Sequence, residues 1–296
     1  MSQPEWLNKQ TYPFESHYYH LPEGKLHYVM EGQGEAMVMI HGTPEWSFVY
    51  RELIKAFRSQ FCCIAADHLG FGLSDKPDIS YAPELQAERL EQFLNHLKLK
   101  DITLIVHDFG GPIGLAYAQK YPEKIKRIVI MNSWLWPVKA DPFYSVFSHL
   151  MLTPLGKWMY LQQSFSARVI MKRAFADKSQ LSPDLHAQYL KVFPTPQSRK
   201  ATLDYAQSFI KSDDWFTSLW QNRDKLKAIP AQFIWGMKDI AFKAKDLARF
   251  QSLFDHYETK NLAVGHFPQE EAPEEVISTV ARFVEIGQSR ETEHVH

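Results

Sequence analysis

The chain has 296 residues, and its 33 Lys and Arg against 34 Asp and Glu leave a formal net charge of −1. Such a balance carries no electrostatic footprint for nucleic acid or for an anionic membrane, so neither is expected as a partner. With 45% hydrophobic and 14% aromatic residues, the chain can bury a sizeable core, which excludes bulk disorder, and the aromatic excess points to an apolar cavity as well.

The first ten residues are polar apart from Trp6 and contain no signal-peptide core. The longest apolar runs are too short to cross a bilayer. The two cysteines, Cys62 and Cys63, are adjacent. Neighbours on a strand point to opposite faces, so the pair reads as two buried thiols in a reducing compartment and not as a disulfide. These readings together predict a soluble, cytoplasmic protein.

In chain order, Ala36–Ile40 reads as a strand ending at His41-Gly42, and Arg51–Phe57 as the helix after it. Phe61–Ala66 is a second strand that delivers Asp67 at its carboxyl end. Pro83 opens a helix with Leu90, Phe93, Leu94 and Leu97 at helical spacing. Ile102–Val106 is a strand, Pro112–Gln119 a helix, and Ile125–Met131 a fourth strand. Continuous apolar strands alternating with helices predict an α/β fold, a mostly parallel doubly wound sheet covered on both faces.

After Asn132 the alternation stops. From Trp134 to about Leu219 only helix-like segments occur, broken by Pro137, Pro142, Pro154, Pro183 and Pro194 and rich in aromatics and Met. The segment reads either as an all-helical unit with its own core or as a helical lid over an apolar pocket. Because the alternation then resumes, the lid is the expected form: residues 134–219 as an inserted cap, with 1–133 and 220–296 as the α/β core. Ala231–Trp235 is a strand, Lys245–Leu253 a helix, Glu258–Val264 a strand, and Val276, Val280, Phe283 and Val284 share one face of a last helix. The polar tail from Gln288 to His296 is expected to fray.

In doubly wound sheets, ligands bind beyond the carboxyl ends of the strands, so the polar residues closing those strands are the candidates. Leu104-Ile105-Val106-His107-Asp108-Phe109-Gly110-Gly111 is a strand, a sharp turn with small residues, and a helix start, the layout of a nucleophile elbow. The apex residue is Asp108. Gly-x-Ser-x-Gly is missing from the chain, which counts against a serine esterase. Alone, Asp108 either caps the next helix or acts as a nucleophile. Two more strand ends favour the second role: Trp235-Gly236-Met237-Lys238-Asp239 and Ala263-Val264-Gly265-His266-Phe267-Pro268. Asp108, Asp239 and His266 follow one another in nucleophile, acid and base order. The turn His41-Gly42-Thr43-Pro44 can aim a backbone N–H at the same spot, and with the N–H of Phe109 would make an oxyanion hole. Asp67 to Ser74 is Gly-rich but lacks a Lys for phosphate and reads as a structural turn. His17 and His20 are isolated and His294 and His296 lie in the tail, so no metal site is expected.

These stretches together resemble the aspartate-nucleophile branch of the α/β-hydrolase fold. The haloalkane dehalogenases are nearest in pattern and the epoxide hydrolases next. The match rests on His41 to Arg51, Asp67 to Ser74, Val106 to Gly114, Gly236 to Asp239 and Gly265 to Gln269. Asn132 to Pro137 and Gly236 to Asp239 are similar to the subfamily whose acid is Asp, some members of which resemble β-lactone decarboxylases. The resemblance implies Asp108 as nucleophile, His266 as base, Asp239 as its orienting acid, and the Thr43 and Phe109 amides as the oxyanion hole. It implies no cofactor and no metal, a small apolar electrophile and water as reactants, and a monomer or homodimer. Two positions depart from the family's pattern. Its usual Trp after the nucleophile is Phe109 here, and its usual Asn between Gly and Pro is Thr43. Phe109, Trp134, Trp136 and Tyr144 are therefore the candidates for the substrate or halide pocket. Epoxide opening would also need a proton donor, for which Tyr144, Tyr160, Tyr189 and Tyr205 are available. A non-enzymatic ligand-binding module on the same fold is the outside alternative.

Overall fold

The computed structural model describes residues 4–293, with side chains as far as Glu285. Eight strands form one sheet: β1 (His17–Leu21), β2 (Gly24–Glu31), β3 (Glu35–Ile40), β4 (Phe61–Ala66), β5 (Ile102–Asp108), β6 (Ile125–Ser133), β7 (Ala231–Gly236) and β8 (Tyr257–Leu262). Their order is β1-β2-β4-β3-β5-β6-β7-β8. From β4 through β8 every neighbouring pair is parallel. Strands β3, β5, β6 and β7 are predominantly apolar and almost wholly buried, as expected of a sheet covered on both faces.

The hairpin β1–β2 at the antiparallel end was not visible in the sequence. Its strands, His17-Tyr18-Tyr19-His20-Leu21 and Gly24 to Glu31, mix aromatic and polar residues and form no apolar run. Only Pro22 and Glu23 separate the paired Leu21 and Gly24, a two-residue connection that an edge hairpin tolerates. Of the two cysteines, Cys63 is buried and Cys62 is half-buried, so the expectation of two buried thiols holds for one of them. Burial pushes the Cys63 thiol up to about 12.

Helices α1 (Arg51–Phe57), α2 (Pro83–Leu97) and α3 (Gly110–Lys120) connect the first strands. Between β6 and β7 lie α4 (Pro142–Leu152), α5 (Pro154–Gln163), α6 (Met171–Ala174), α7 (Pro183–Leu190), α8 (Lys200–Lys211) and α9 (Asp213–Gln221). Three of the five prolines that read as breaks are helix starts. Pro142, Pro154 and Pro183 open α4, α5 and α7, and the residues before them, Asp141, Thr153 and Ser182, accept a backbone N–H of the first turn. Met151, Tyr160, Leu203 and Ala206 of α4, α5 and α8 form a small separate core. Helices α10 (Ala244–Gln251), α11 (Pro268–Glu271) and α12 (Pro273–Glu293) complete the chain. Helix α12 continues to Glu293, past the point where polar composition predicted fraying, and residues 294–296, with His294 and His296, lie outside the described residues. Among the described residues, no helix is long and apolar enough to cross a membrane.

The loops at the carboxyl edge of the sheet are pinned from below by Asp67, which is fully buried. Its carboxylate accepts the Ser47 N–H at 2.7 Å and the Leu73 N–H at 2.8 Å, and lies 2.8 Å from His27 Nδ1. One side chain thus ties β2 to the loops after β3 and β4. Burial opposes its charge, but His27 and the backbone donors outweigh burial and hold the carboxyl down at about 2. A depressed carboxyl contributes stability above its unfolded pKa, near 3.8, and loses it as pH falls towards about 2. Asp67→Asn is therefore expected to cost about 3–5 kcal/mol near neutrality. In urea unfolding at stepped pH, its gap to wild type should narrow below pH ~4; a gap constant down to pH ~2 would refute the assignment.

Candidate active site

Asp108 closes β5 in a left-handed conformation, φ 50, and α3 starts two residues later. The turn is possible because its neighbours lack side chains. A Cβ on Gly110 would sit 2.0 Å from the Ile40 carbonyl oxygen, and one on Gly42 would sit 2.2 Å from Asp108 Oδ1. The strained residue is held by the Ser133 hydroxyl, which donates to the Asp108 carbonyl at 2.6 Å. From the other side, the Thr43 N–H donates to Asp108 Oδ1 at 2.8 Å. The Phe109 N–H opens α3, where the first amides of a helix have no intrahelical partner.

His266 follows β8 and brings its ring to the same point. Its Nδ1 lies 2.8 Å from Asp239 Oδ2, and its Nε2 lies 3.6 Å from Asp108 Oδ2. Asp239, in the loop after β7, is itself oriented. Its Oδ1 accepts the Ala241 N–H at 2.7 Å, and Asn132 Nδ2 donates to its Oδ2 at 2.8 Å. The Asn132 amide also accepts the Gly236 N–H at 2.7 Å, so one side chain at the end of β6 fixes the start of the acid loop. All three of Asp108, Asp239 and His266 are buried. Burial opposes a charge on His266, but the two carboxylates outweigh it and hold the imidazole well above its ordinary value. Asp239 in turn is held low by His266 and its donors, against its own burial.

A second polar layer lies beneath the triad. His107, one residue before Asp108, donates through Nε2 to the His266 carbonyl at 2.7 Å. Its Nδ1 lies 2.6 Å from Glu45 Oε1 and 3.1 Å from Gln269 Nε2. Glu45 Oε2 accepts the Gly42 N–H at 3.0 Å. Glu45 and His107 are both fully buried, and burial of the Glu45 carboxyl is outweighed by His107, which holds it below the usual range. This pair thus fastens the Thr43 turn to the backbone of His266. The pair was not visible in the sequence, because a Glu after Pro44 and a His before Asp108 carry no signal of their contact. Glu45, His107 and His266 bring their ligating atoms within 4.8 Å of one another. Each of these groups already faces a protein partner, so the cluster is a polar network and not a metal cage.

Above the triad lies a cavity of about 350 Å³ lined by Thr43, Asp108, Phe109, Asp239 and His266 below and by α4, α5, α6 and α8 above. Its walls are aromatic and Met-rich, including Phe147, Met151, Phe165 and Phe209. Tyr144 lines it, but its hydroxyl donates to the Ala241 carbonyl at 3.1 Å. Tyr160 lines it as well. Tyr189 bonds Glu270 elsewhere, and Tyr205 stacks behind Phe109 with ring centroids 4.3 Å apart. Two pocket expectations need correction. Trp136 does not reach the cavity, because its ring is held by Trp220, Phe250 and the Arg249 guanidinium. Trp134 stands one layer behind, stacked on Phe242 and edge-on to Phe109.

A family model for the alpha/beta hydrolase fold matches residues 35–273. The chain belongs to the α/β-hydrolase fold family. Its curated relatives in this family include haloalkane dehalogenase 2 of Mycobacterium tuberculosis, 32% identical over 92% of this chain and 95% of the relative. They also include the cis-3-alkyl-4-alkyloxetan-2-one decarboxylase of Shewanella oneidensis, 34% identical over 92% of this chain and 89% of that protein. Among solved structures, a haloalkane dehalogenase from Agrobacterium tumefaciens C58 superposes with a TM-score of 0.81 at 25% identity, covering 93% of this chain and 96% of that one. One from Bradyrhizobium elkani USDA94 does so with a TM-score of 0.85 at 21% identity over 94% and 99%.

Within this hydrolase fold, the Glu45–His107 pair makes a stability claim that double substitution can test. Glu45→Gln removes the buried carboxylate that faces His107 Nδ1 at 2.6 Å and is expected to cost about 3 kcal/mol. Glu45→Gln combined with His107→Gln should cost less than the sum of the two single changes, a coupling of about 1–3 kcal/mol in urea unfolding. Strict additivity would show that the pair is not interacting.

Proposed function

We propose that the protein is a haloalkane dehalogenase-like hydrolase that opens small apolar electrophiles through a covalent ester on Asp108. The observation that carries this reading is a carboxylate at the elbow apex, 3.6 Å from the His266 imidazole and facing an apolar cavity. A carboxylate needs no base to attack an sp³ carbon when the site is dry and the leaving group is good. Asp108 forms the new C–O bond, and the carbon–halogen electron pair leaves with the halide. Water then gives a proton to His266 Nε2 and attacks the Asp108 carboxyl carbon. The tetrahedral oxyanion meets the Thr43 and Phe109 amides, and collapse releases the alcohol and restores Asp108.

The charge balance supports this order of events. In the free site, two carboxylates hold the His266 imidazole well above its ordinary value, against its burial. Esterification neutralises Asp108 and removes one of them. The imidazole pKa then falls, and the ring becomes a base when the ester needs one. Helices α4 to α9, over residues 134–219, act in this reading as the cap that keeps bulk water out.

Phe109 favours a second reading. Its ring lines the cavity and has no N–H to offer a departing halide, and such a donor is worth about 10²–10³ in rate. A β-lactone carries its leaving group in a strained ring. Attack by Asp108 on the ring carbon bearing oxygen would free a tethered carboxylate. Loss of CO₂ would then expel Asp108 and leave an alkene, with no water consumed. The 34% identical decarboxylase relative has a name that fits such chemistry.

Intact-mass analysis of His266→Gln, incubated separately with a bromoalkane and with a dialkyl β-lactone, separates the two. Bromide release with an alkyl adduct confined to Asp108 is the outcome expected for the first reading. Alkene and CO₂ from the lactone, with the bromoalkane inert, would assign the second. With neither adduct nor product from either compound, the covalent mechanism would fall.

A further inference from the structure

Helices α4 and α5, which roof the cavity, carry a face that none of the described residues covers. Val146 is 70% exposed and Trp158 52%, and Phe143, Leu150 and Leu155 are also exposed. Phe143, Val146 and Leu150 fall on one stripe of α4 by helical spacing. The stripe runs into the cavity mouth, because the exposed Phe143, Leu150 and Ile240 are at the same time cavity-lining residues.

The charge around this face is one-sided. Between Asp141 and Asp177 there is no acidic residue, whereas Lys157, Arg168, Lys172 and Arg173 all fall within that stretch. All four are exposed. None makes an ion pair among the described residues. The net charge of −1 therefore conceals a segment that is purely cationic. An exposed apolar stripe with Trp and Phe, on a stretch that holds four cations without ion pairs among the described residues and no acid between Asp141 and Asp177, is the chemistry of an element that lies in the interface of an anionic bilayer.

We propose that the α4–α5 face docks on an anionic phospholipid surface, with the cavity mouth turned to the lipid so that an apolar substrate enters from it. The docking stands on the surface alone; only the identity of what enters rests on the function proposed above. Two features of one segment carry the argument together. The apolar stripe supplies insertion into the acyl boundary, and the cations supply attraction to lipid phosphates and select the anionic surface.

The test is sedimentation of the full chain with sucrose-loaded vesicles, either 30:70 phosphatidylglycerol:phosphatidylcholine or phosphatidylcholine alone. Binding is expected to the first and to weaken with added salt. Lys157→Gln and Lys172→Gln should each lower partitioning about 5-fold. Val146→Glu, Leu155→Glu and Trp158→Glu combined should abolish it, while the urea midpoint stays unchanged because all three side chains are exposed. No vesicle binding, or binding that survives the triple substitution, would overturn the proposal. So would a dimer of the free protein in light scattering that the triple substitution dissolves, since the face would then belong to a second copy. Vesicle binding is read without turnover, so it can fail while the catalytic reading stands, and the reverse.

Discussion

An imidazole buried between two carboxylates is stable only if each partner is held where it cannot turn away, and much of this molecule serves that end. Water is excluded, so every pairing is worth more and every unpaired group costs more than at the surface. Asp239 is fixed by the Ala241 amide and Asn132, Asp108 by the Thr43 amide and the Ser133 hydroxyl, and the His266 backbone by His107. These supports come from the ends of β5, β6 and β7 and from the loops after β3 and β8. The parallel sheet brings those ends to one edge, and the fold is the reason that segments far apart in sequence can share one charge.

The same parallel sheet explains what could be read from sequence. Buried central strands are continuous apolar runs, so β3 to β7 stand out, and each ends at a polar residue that is conspicuous against them. Asp108 and Asp239 were visible at or just past such ends, and His266, after the more polar β8, through its place in the nucleophile, acid and base order. Asn132, Glu45 and Gln269 were not, because their meaning lies in contacts across the fold: Asn132 with Gly236, Glu45 with His107, and Gln269 again with His107. The hairpin β1–β2 was hidden for a different reason. As an edge element it has no need of an apolar run, and its aromatic and polar residues look like a loop. Trp134 and Trp136 show the limit of proximity in sequence. Two positions apart on a chain leaving β6, they part company, one towards the back of Phe109 and the other towards Trp220.

Composition misleads in the same way when it is averaged. A balanced total says nothing about where the charges lie. In this chain the acids gather elsewhere, for example in Glu270 and Glu271 on α11. Glu270 pairs with Arg51, and Glu271 accepts the amides of Gly265, Ala176 and Asp177. Those carboxylates are used up in tying the His266 loop to the helices above it. The cations of the α5–α6 stretch have no such counterparts, and they remain available to the surroundings.

The floor of the cavity bears on the choice between leaving groups. Phe109 is enclosed by Tyr205, Trp134 and Phe209, with ring centroids at 4.3, 4.7 and 5.3 Å. The Trp134 indole N–H and the Tyr205 hydroxyl in this cluster are buried without a hydrogen-bond partner among the described residues, each at a cost of about 1–3 kcal/mol. Donors are therefore present in the cluster, but on side chains outside the cavity lining, with Phe109 at the floor. In the proposed reaction a leaving halide would meet the apolar ring of Phe109, and the Thr43 hydroxyl, which is buried without a hydrogen-bond partner among the described residues, is a side-chain donor within the cavity lining. Bromide and iodide leave under those terms far more readily than chloride, and a strained ring, which carries part of the driving force itself, more readily than an unstrained chloride. In the reaction proposed above, a phenyl ring in place of an indole N–H would thus move part of the energetic burden from the protein to the substrate, and would narrow the electrophiles that Asp108 could open.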